Sequence, residues 1–260
     1  MDLHENLKGK TVVITGGSGI LCREFAYAYA KQGMNVAVLG RTLSKLEEVC
    51  DKINELGGNG LAVVCDVVDK DSVINAKKVV NDTFGKVDIL VNGAGGNHPK
   101  GTTTKEYFEK GDIENPNVVS FFDLSKENFN YVFDLNIVGT LIPTQVFIVD
   151  MLDNPGANVL NIASMSSYHA ITKSKRILCR KKPLFPNFTE MACRTFCKKA
   201  VSESTLLHQA GLKTVQNKNT FEKSGRLTFG TFKESSCSYS YGTFRCSGGF
   251  DRHIAMAYRQ

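Results

Sequence analysis

Residues 11–19 read Thr11-Val12-Val13-Ile14-Thr15-Gly16-Gly17-Ser18-Gly19, and this stretch decides the fold. Five β-branched residues in succession suit a strand buried on both faces, where apolar runs replace alternation. The glycines then turn the chain sharply. Beyond them Phe25, Tyr27, Ala28 and Ala30 predict a helix, with Gly33 as its stop signal. The same unit recurs along the chain. Asn35-Val36-Ala37-Val38-Leu39 is a second strand, and LSKLEEVCDKINEL a helix with Leu43, Leu46, Val49, Cys50 and Ile53 along one stripe. LAVVCDV, DSVINAKKVVNDTFG and VDILVNGAGG follow as strand, helix and strand. Residues 97–123 are polar and predict a long loop with a little helix. ENFNYVFDLNIVGTLIPTQVFIVDML predicts one long apolar helix, and Asn158–Ala163 a fifth strand. Strands and helices alternating at this spacing give an α/β fold with a doubly wound parallel sheet.

A chain of 260 residues is long enough for one such domain with a large core. The start MDLHENLKGKTVVITGG has no apolar run of signal-peptide length, and no stretch reaches the roughly 18 apolar residues of a membrane span. The expected location is cytoplasmic, and the eight cysteines are then expected as thiols. The net charge of +6 hides a break in composition. Residues 1–172 hold 15 Lys and Arg against 21 Asp and Glu, whereas residues 173–260 hold 17 against 5. Five cysteines, Cys179, Cys193, Cys197, Cys237 and Cys246, also fall in the second part. Such a break marks either a basic module or a segment not shaped by folding.

Thr15-Gly16-Gly17-Ser18-Gly19, Cys65-Asp66-Val67, Asn92-Gly93-Ala94-Gly95, Asn136 in LNIVGT and Ser164 after the fifth strand occur in this order. Together they resemble the short-chain dehydrogenase/reductases, over about residues 7–172. The turn TGGSGILC and the loop GNHPKGTTTKEYFEKGDIENPN are most similar to the subgroup of D-mannonate oxidoreductases and fructuronate reductases. The resemblance implies a Rossmann-like dinucleotide site. Gly16, Gly17, Ser18, Gly19 and Ile20 would hold the pyrophosphate at a helix N-terminus, although glycines can also merely close a tight turn. Cys22, at the third glycine position of the pattern, reads as structural. Gly40-Arg41 follows the second strand where an acidic residue would bind the NAD ribose, so Arg41 favours the 2′-phosphate of NADP, with NAD the alternative. Asp66 and Val67 would meet the adenine, and Asn92, Gly93 and Ala94 would line the nicotinamide side. A strand-end cap is an equally simple reading of Asp66. Family chemistry needs a serine to polarise the carbonyl, a tyrosine to move the proton, a lysine to lower the tyrosine pKa and an asparagine to hold a water. Ser164 and Asn136 match by motif, although Asn136 also reads as a polar residue at a helix kink. His98, Lys100 and Lys105, in the long loop, could meet a substrate carboxylate, although each reads more simply as a solvated side chain.

The tyrosine does not match. In the family it follows the serine by about thirteen residues and precedes the lysine by four. Those counts reach Ile177 and Lys181, so the lysine position is filled and the tyrosine position is not. Tyr168 lies only four beyond Ser164 and reads as a loop aromatic. The codons ATA CTC TGC CGC AAA would encode Ile177–Lys181, and read one base later they spell Tyr-Ser-Ala-Ala-Lys. MACRTFCK at 191–198 can be read one base later as Trp-Leu-Ala-Val-His-Phe-Ala-Lys, in a chain that otherwise has no tryptophan. ESTLLHQAG at 203–211 can be read two bases later as Val-Asn-Ala-Ile-Ala-Pro-Gly. Three such matches in family order divide the chain into residues 1–173, a dinucleotide-binding domain, and residues 174–260, a tail translated out of frame. The expectation is then an incomplete sheet, bare beyond the fifth strand near Val159, Leu160 and Ile162, and an irregular C-terminal third. Family members are usually homo-oligomers, an expectation the altered tail puts in doubt here. A zinc knuckle lacks paired CxxC spacing, and a basic nucleic-acid-binding tail lacks any recognisable motif. No metal is expected, and the partner is a small molecule of the sugar-acid kind. The alternative is a non-catalytic nucleotide-binding remnant.

Overall fold

The structure is a computed structural model. It describes residues 5–98, 101, 103–105, 107–154, 156–164, 201–209, 237–240 and 243–246. The alternating units appear as expected: β1 (Thr11–Thr15), α1 (Ile20–Ala30), β2 (Asn35–Gly40), α2 (Leu43–Glu55), β3 (Asn59–Val64), α3 (Lys70–Phe84) and β4 (Ile89–Asn92). After the long loop come α4 (Lys126–Phe133), a π-helical turn (Asp134–Val138), α5 (Gly139–Met151) and β5 (Ala157–Ser164). The backbone of β6 (Val201–Gln209) follows, then β7 (Cys237–Ser240) and β8 (Thr243–Cys246), an antiparallel pair with Cys237 opposite Cys246. The main sheet is parallel throughout, in the order β3-β2-β1-β4-β5-β6.

Register explains the two-faced core. Val13 pairs with Ala37 and Leu90, and Leu90 with Val159. Successive side chains of a strand point to opposite faces. Val12, Ile14, Val36 and Val38 therefore pack with α1 and α2, through Ala26, Leu46 and Ile53. Val13, Ala37, Leu39 and Leu90 pack with α3 and α5, through Val73, Val80, Phe147 and Met151. Strands covered on both sides are why Thr11–Thr15 reads as an unbroken β-branched run.

Three expectations are corrected. The edge beyond β5 is not bare, because β6 pairs with it in parallel from Asn158↔Glu203 to Ser164↔Gln209. Residues 201–209 can supply a strand whatever their side chains, because pairing uses backbone groups, which every non-proline residue carries. The long helix is continuous over Lys126–Met151 but is not α-helical throughout, since it passes through the π turn, where Asn136 Nδ2 donates to Val132 O at 2.7 Å. A membrane-length stretch does exist. Lys126–Met151, 26 residues in all, is long and apolar enough to cross a membrane by length and composition. Its Asn136, Thr140, Thr144, Phe147 and Met151 are nevertheless buried within the protein.

Candidate active site

The order reverses at β1. The chain winds outward through β2 and β3, then returns to β1's other side as β4, and ligands of open α/β sheets bind in the crevice at such a switch. Gly16 has φ +66°, and a Cβ there would lie 2.9 Å from Ala94 Cα, so the turn rests directly on the start of the β4 loop. A Cβ at Gly17 would stand 2.6 Å from Val38 Cβ. Gly17 N–H donates to Leu39 O at 3.1 Å and Gly19 N–H to Gly16 O at 2.9 Å, which closes the turn. No side chain caps α1 at Gly19. Its first-turn N–H groups, starting at Ile20, thus carry the positive end of the helix dipole into the crevice, a cradle suited to a phosphate. Cys22 is buried, and a Cβ at Gly93 would run into its Sγ. Burial pushes the Cys22 thiol up to about 12, so it packs rather than reacts.

At the other side of the turn, a Cβ on Gly40 would lie 3.8 Å from Ser18 Oγ, and Arg41 stands exposed immediately beyond β2. Asp66 and Val67 follow β3, and Asp66 Oδ1 accepts from Val68 N–H at 3.2 Å. Val67 is buried, with a Cβ at Gly139 only 2.8 Å from its Cγ2.

The β4 loop is pinned from three sides. Thr15 Oγ1 accepts from Gly93 N–H at 3.1 Å and Ala94 N–H at 3.2 Å. Asn136 donates to Gly96 O at 2.8 Å and accepts from Gly96 N–H at 3.2 Å. Asn92, 2% exposed, donates to Thr144 Oγ1 at 2.9 Å and to Asn161 Oδ1 at 2.8 Å. Sequence reasoning missed Thr15, Thr144 and Asn161 as polar anchors, since each sits inside an apolar strand or helix pattern. The available signal was the stripe Asn136, Thr140, Thr144, spaced four apart on an otherwise apolar helix.

The catalytic group is only partly placed. Asn136 and Ser164 lie on the π turn and at the end of β5. The side chain of Ser164, and Ile177, Lys181, Tyr168 and Lys100, lie outside the described residues. Of the carboxylate candidates, Lys105 Nζ is held by Glu109 Oε2 and Asp112 Oδ1, each at 2.6 Å, within its own loop. His98 leans on Tyr131 with ring centroids 5.0 Å apart. Its Nδ1 has no hydrogen-bond partner among the described residues. No cluster of metal-ligating side chains occurs among the described residues.

The pattern of the short chain dehydrogenase family matches residues 10–174. An uncharacterized oxidoreductase, UxuB, of Bacillus subtilis (strain 168) is 45% identical over 172 residues, covering 66% of this chain and 60% of that protein. An uncharacterized oxidoreductase of Haemophilus influenzae is 38% identical over 195 residues, 75% of this chain and 67% of that one. The chain thus spans about 60% of the Bacillus relative's length. Among solved structures, a Haemophilus influenzae protein described as a D-mannonate oxidoreductase, with bound NAD, has a TM-score of 0.75 at 34% identity. That match covers 81% of this chain and 74% of the Haemophilus one.

Proposed function

The chain belongs to the short-chain dehydrogenase family, and on that premise we propose that it binds a nicotinamide dinucleotide, NADP(H) in preference to NAD(H). Its reaction is hydride exchange with the carbonyl of a sugar acid. The observation that carries this reading is the side-chain-free cradle of Gly16, Gly17 and Gly19 at the uncapped start of α1, lying against Gly93–Ala94. When bound, the nicotinamide supplies or takes the hydride. The residues that would hold the dinucleotide are Gly16–Ile20 and Arg41 for the phosphates, Asp66 and Val67 for the adenine, and Asn92–Ala94 for the nicotinamide side. Ser164 donates a hydrogen bond to the substrate carbonyl oxygen, and Asn136 orders the proton path. The substrate class rests on the likeness to the Haemophilus protein described as a D-mannonate oxidoreductase. That the Haemophilus protein holds NAD bears on that protein, and Arg41 is this chain's own argument for a 2′-phosphate.

Proton transfer is where this chain falls short. Ile177 occupies the tyrosine position and cannot exchange a proton, and Lys181 then has no phenol to act on. Residues 174–260 are read as out-of-frame translation, with residues 1–173 as the dinucleotide-binding unit. Titration of NADPH and NADH against the full chain, followed by turnover of D-fructuronate, tests both halves. Binding with little turnover is expected. Absence of dinucleotide binding overturns the reading.

A further inference from the structure

We infer that Thr144 is a positioning residue for the nicotinamide half of the site, acting through a buried polar column that fixes the floor of the cleft. The inference rests on the cofactor reading above. The column begins at Asn161 on β5, whose Oδ1 accepts from Asn92 at 2.8 Å. The second amide hydrogen of Asn92 goes to Thr144 Oγ1 at 2.9 Å. Thr144 donates in turn to Thr140 O at 2.7 Å, and Thr140 to Asn136 O at 3.1 Å. Asn136 then grips both backbone groups of Gly96. All five side chains are buried, between 2% and 8% exposed.

The arrangement has a specific geometry. Residues 93–96 form the first segment of the loop leaving β4. Asn92 stands just before this segment and Gly96 is its last residue, and one helical stretch holds both, through Thr144 and Asn136. These two lie eight residues apart, about 12 Å along a helix at ordinary rise. The middle of the loop is held separately by Thr15. Asn92 Oδ1 has no hydrogen-bond partner among the described residues, so the side chain is oriented wholly by its two donated bonds. Apolar side chains in this seam would bury as well. Polar ones fix direction, because a buried donor is costly to leave unpaired and so tolerates few orientations. The phosphate cradle does not share this column: it is closed by Gly17 N–H to Leu39 O and Gly19 N–H to Gly16 O.

Loss of Thr144 should therefore be felt at one end of the dinucleotide. The test compares NADPH with 2′-phospho-ADP-ribose, and NADH with ADP-ribose, by calorimetric titration of the full chain and of Thr144→Val and Thr144→Ser. The fragments lack nicotinamide and report the cradle and the adenosine side without it. Thr144→Val is expected to weaken the preferred dinucleotide at least about fivefold, the worth of roughly one hydrogen bond, and its fragment less than twofold. Thr144→Ser, which keeps the hydroxyl, should restore most of the loss. Equal weakening of dinucleotide and fragment would make Thr144 a structural residue only, and unchanged binding of both would remove any role; either overturns the inference. A parent chain that binds neither dinucleotide nor fragment defeats the cofactor reading first, and this inference with it.

Discussion

At the scale of single residues, the contact between Gly93 and Cys22 does two jobs. The glycine lets the β4 loop come down onto α1, and the thiol fills the space that a third glycine would leave open. Gly93→Ala should destabilise the protein by about 1–3 kcal/mol, because overpacking a tight interior forces neighbours to shift. The added Cβ meets Cys22 Sγ and, at 2.9 Å, Thr15 O. Cys22→Ala removes only the first obstruction. The double substitution should therefore cost less than the two single ones combined, as read from denaturant midpoints. Simple additivity would place the strain elsewhere. Arg41 makes a second prediction. Arg41→Asp should reverse a preference for NADP(H), since a carboxylate accepts from the ribose hydroxyls and repels a 2′-phosphate. Equal affinities for both cofactors before and after would make Arg41 a bystander.

At the scale of elements, the loop between β4 and α4 is clasped by its own charges. Lys105 pairs with Asp112, and Asp112 also accepts from Glu109 N–H at 2.9 Å. The Lys105 ammonium first, and that N–H second, hold the Asp112 carboxyl below its ordinary value of 3.8. Because the folded pKa is the lower one, the clasp's contribution is complete above pH 3.8 and is lost as pH falls through the depressed value. An NMR titration of the Asp112 carboxyl carbon should give a midpoint below 3.8. A midpoint at or above that value would mean that the pair does not persist in solution. This clasp was not legible in the sequence, where Lys105 reads as a cation available to a substrate. Its partners are four and seven residues away along an irregular chain, and no periodicity announces them. The strands were legible because burial on both faces leaves a β-branched run that no helix requires. The π turn was legible only as the alternative reading of Asn136 as a polar residue at a kink, since it involves one side chain taking a main-chain carbonyl. Residues 107–122 carry a further surprise: Tyr107, Phe108, Phe121 and Phe122 are exposed within a loop that reads as polar.

At the scale of the whole molecule, two thirds of the chain follow one consistent plan and the remainder does not. From β1 to β5, strand propensity, glycine placement and core register agree, as expected of a sequence selected for this fold. After Lys173 the charge balance reverses and cysteines accumulate, yet β6 still extends the sheet at β5. Resequencing the gene across codons 170–215 should find altered base counts beside the lysine-rich stretches, with the corrected frame placing tyrosine at 177. An unaltered base count across those codons would contradict a miscounted frame. The central claim is that this chain keeps a dinucleotide site while lacking the acid its reaction needs. Turnover of D-fructuronate by protein saturated with NADPH tests it most directly. Loss of a general acid costs about 10²–10⁴ in rate, so from a median enzyme turnover of about 10 s⁻¹ it should fall to about 0.1 s⁻¹ or less, whereas turnover at about 10 s⁻¹ or above would contradict the claim.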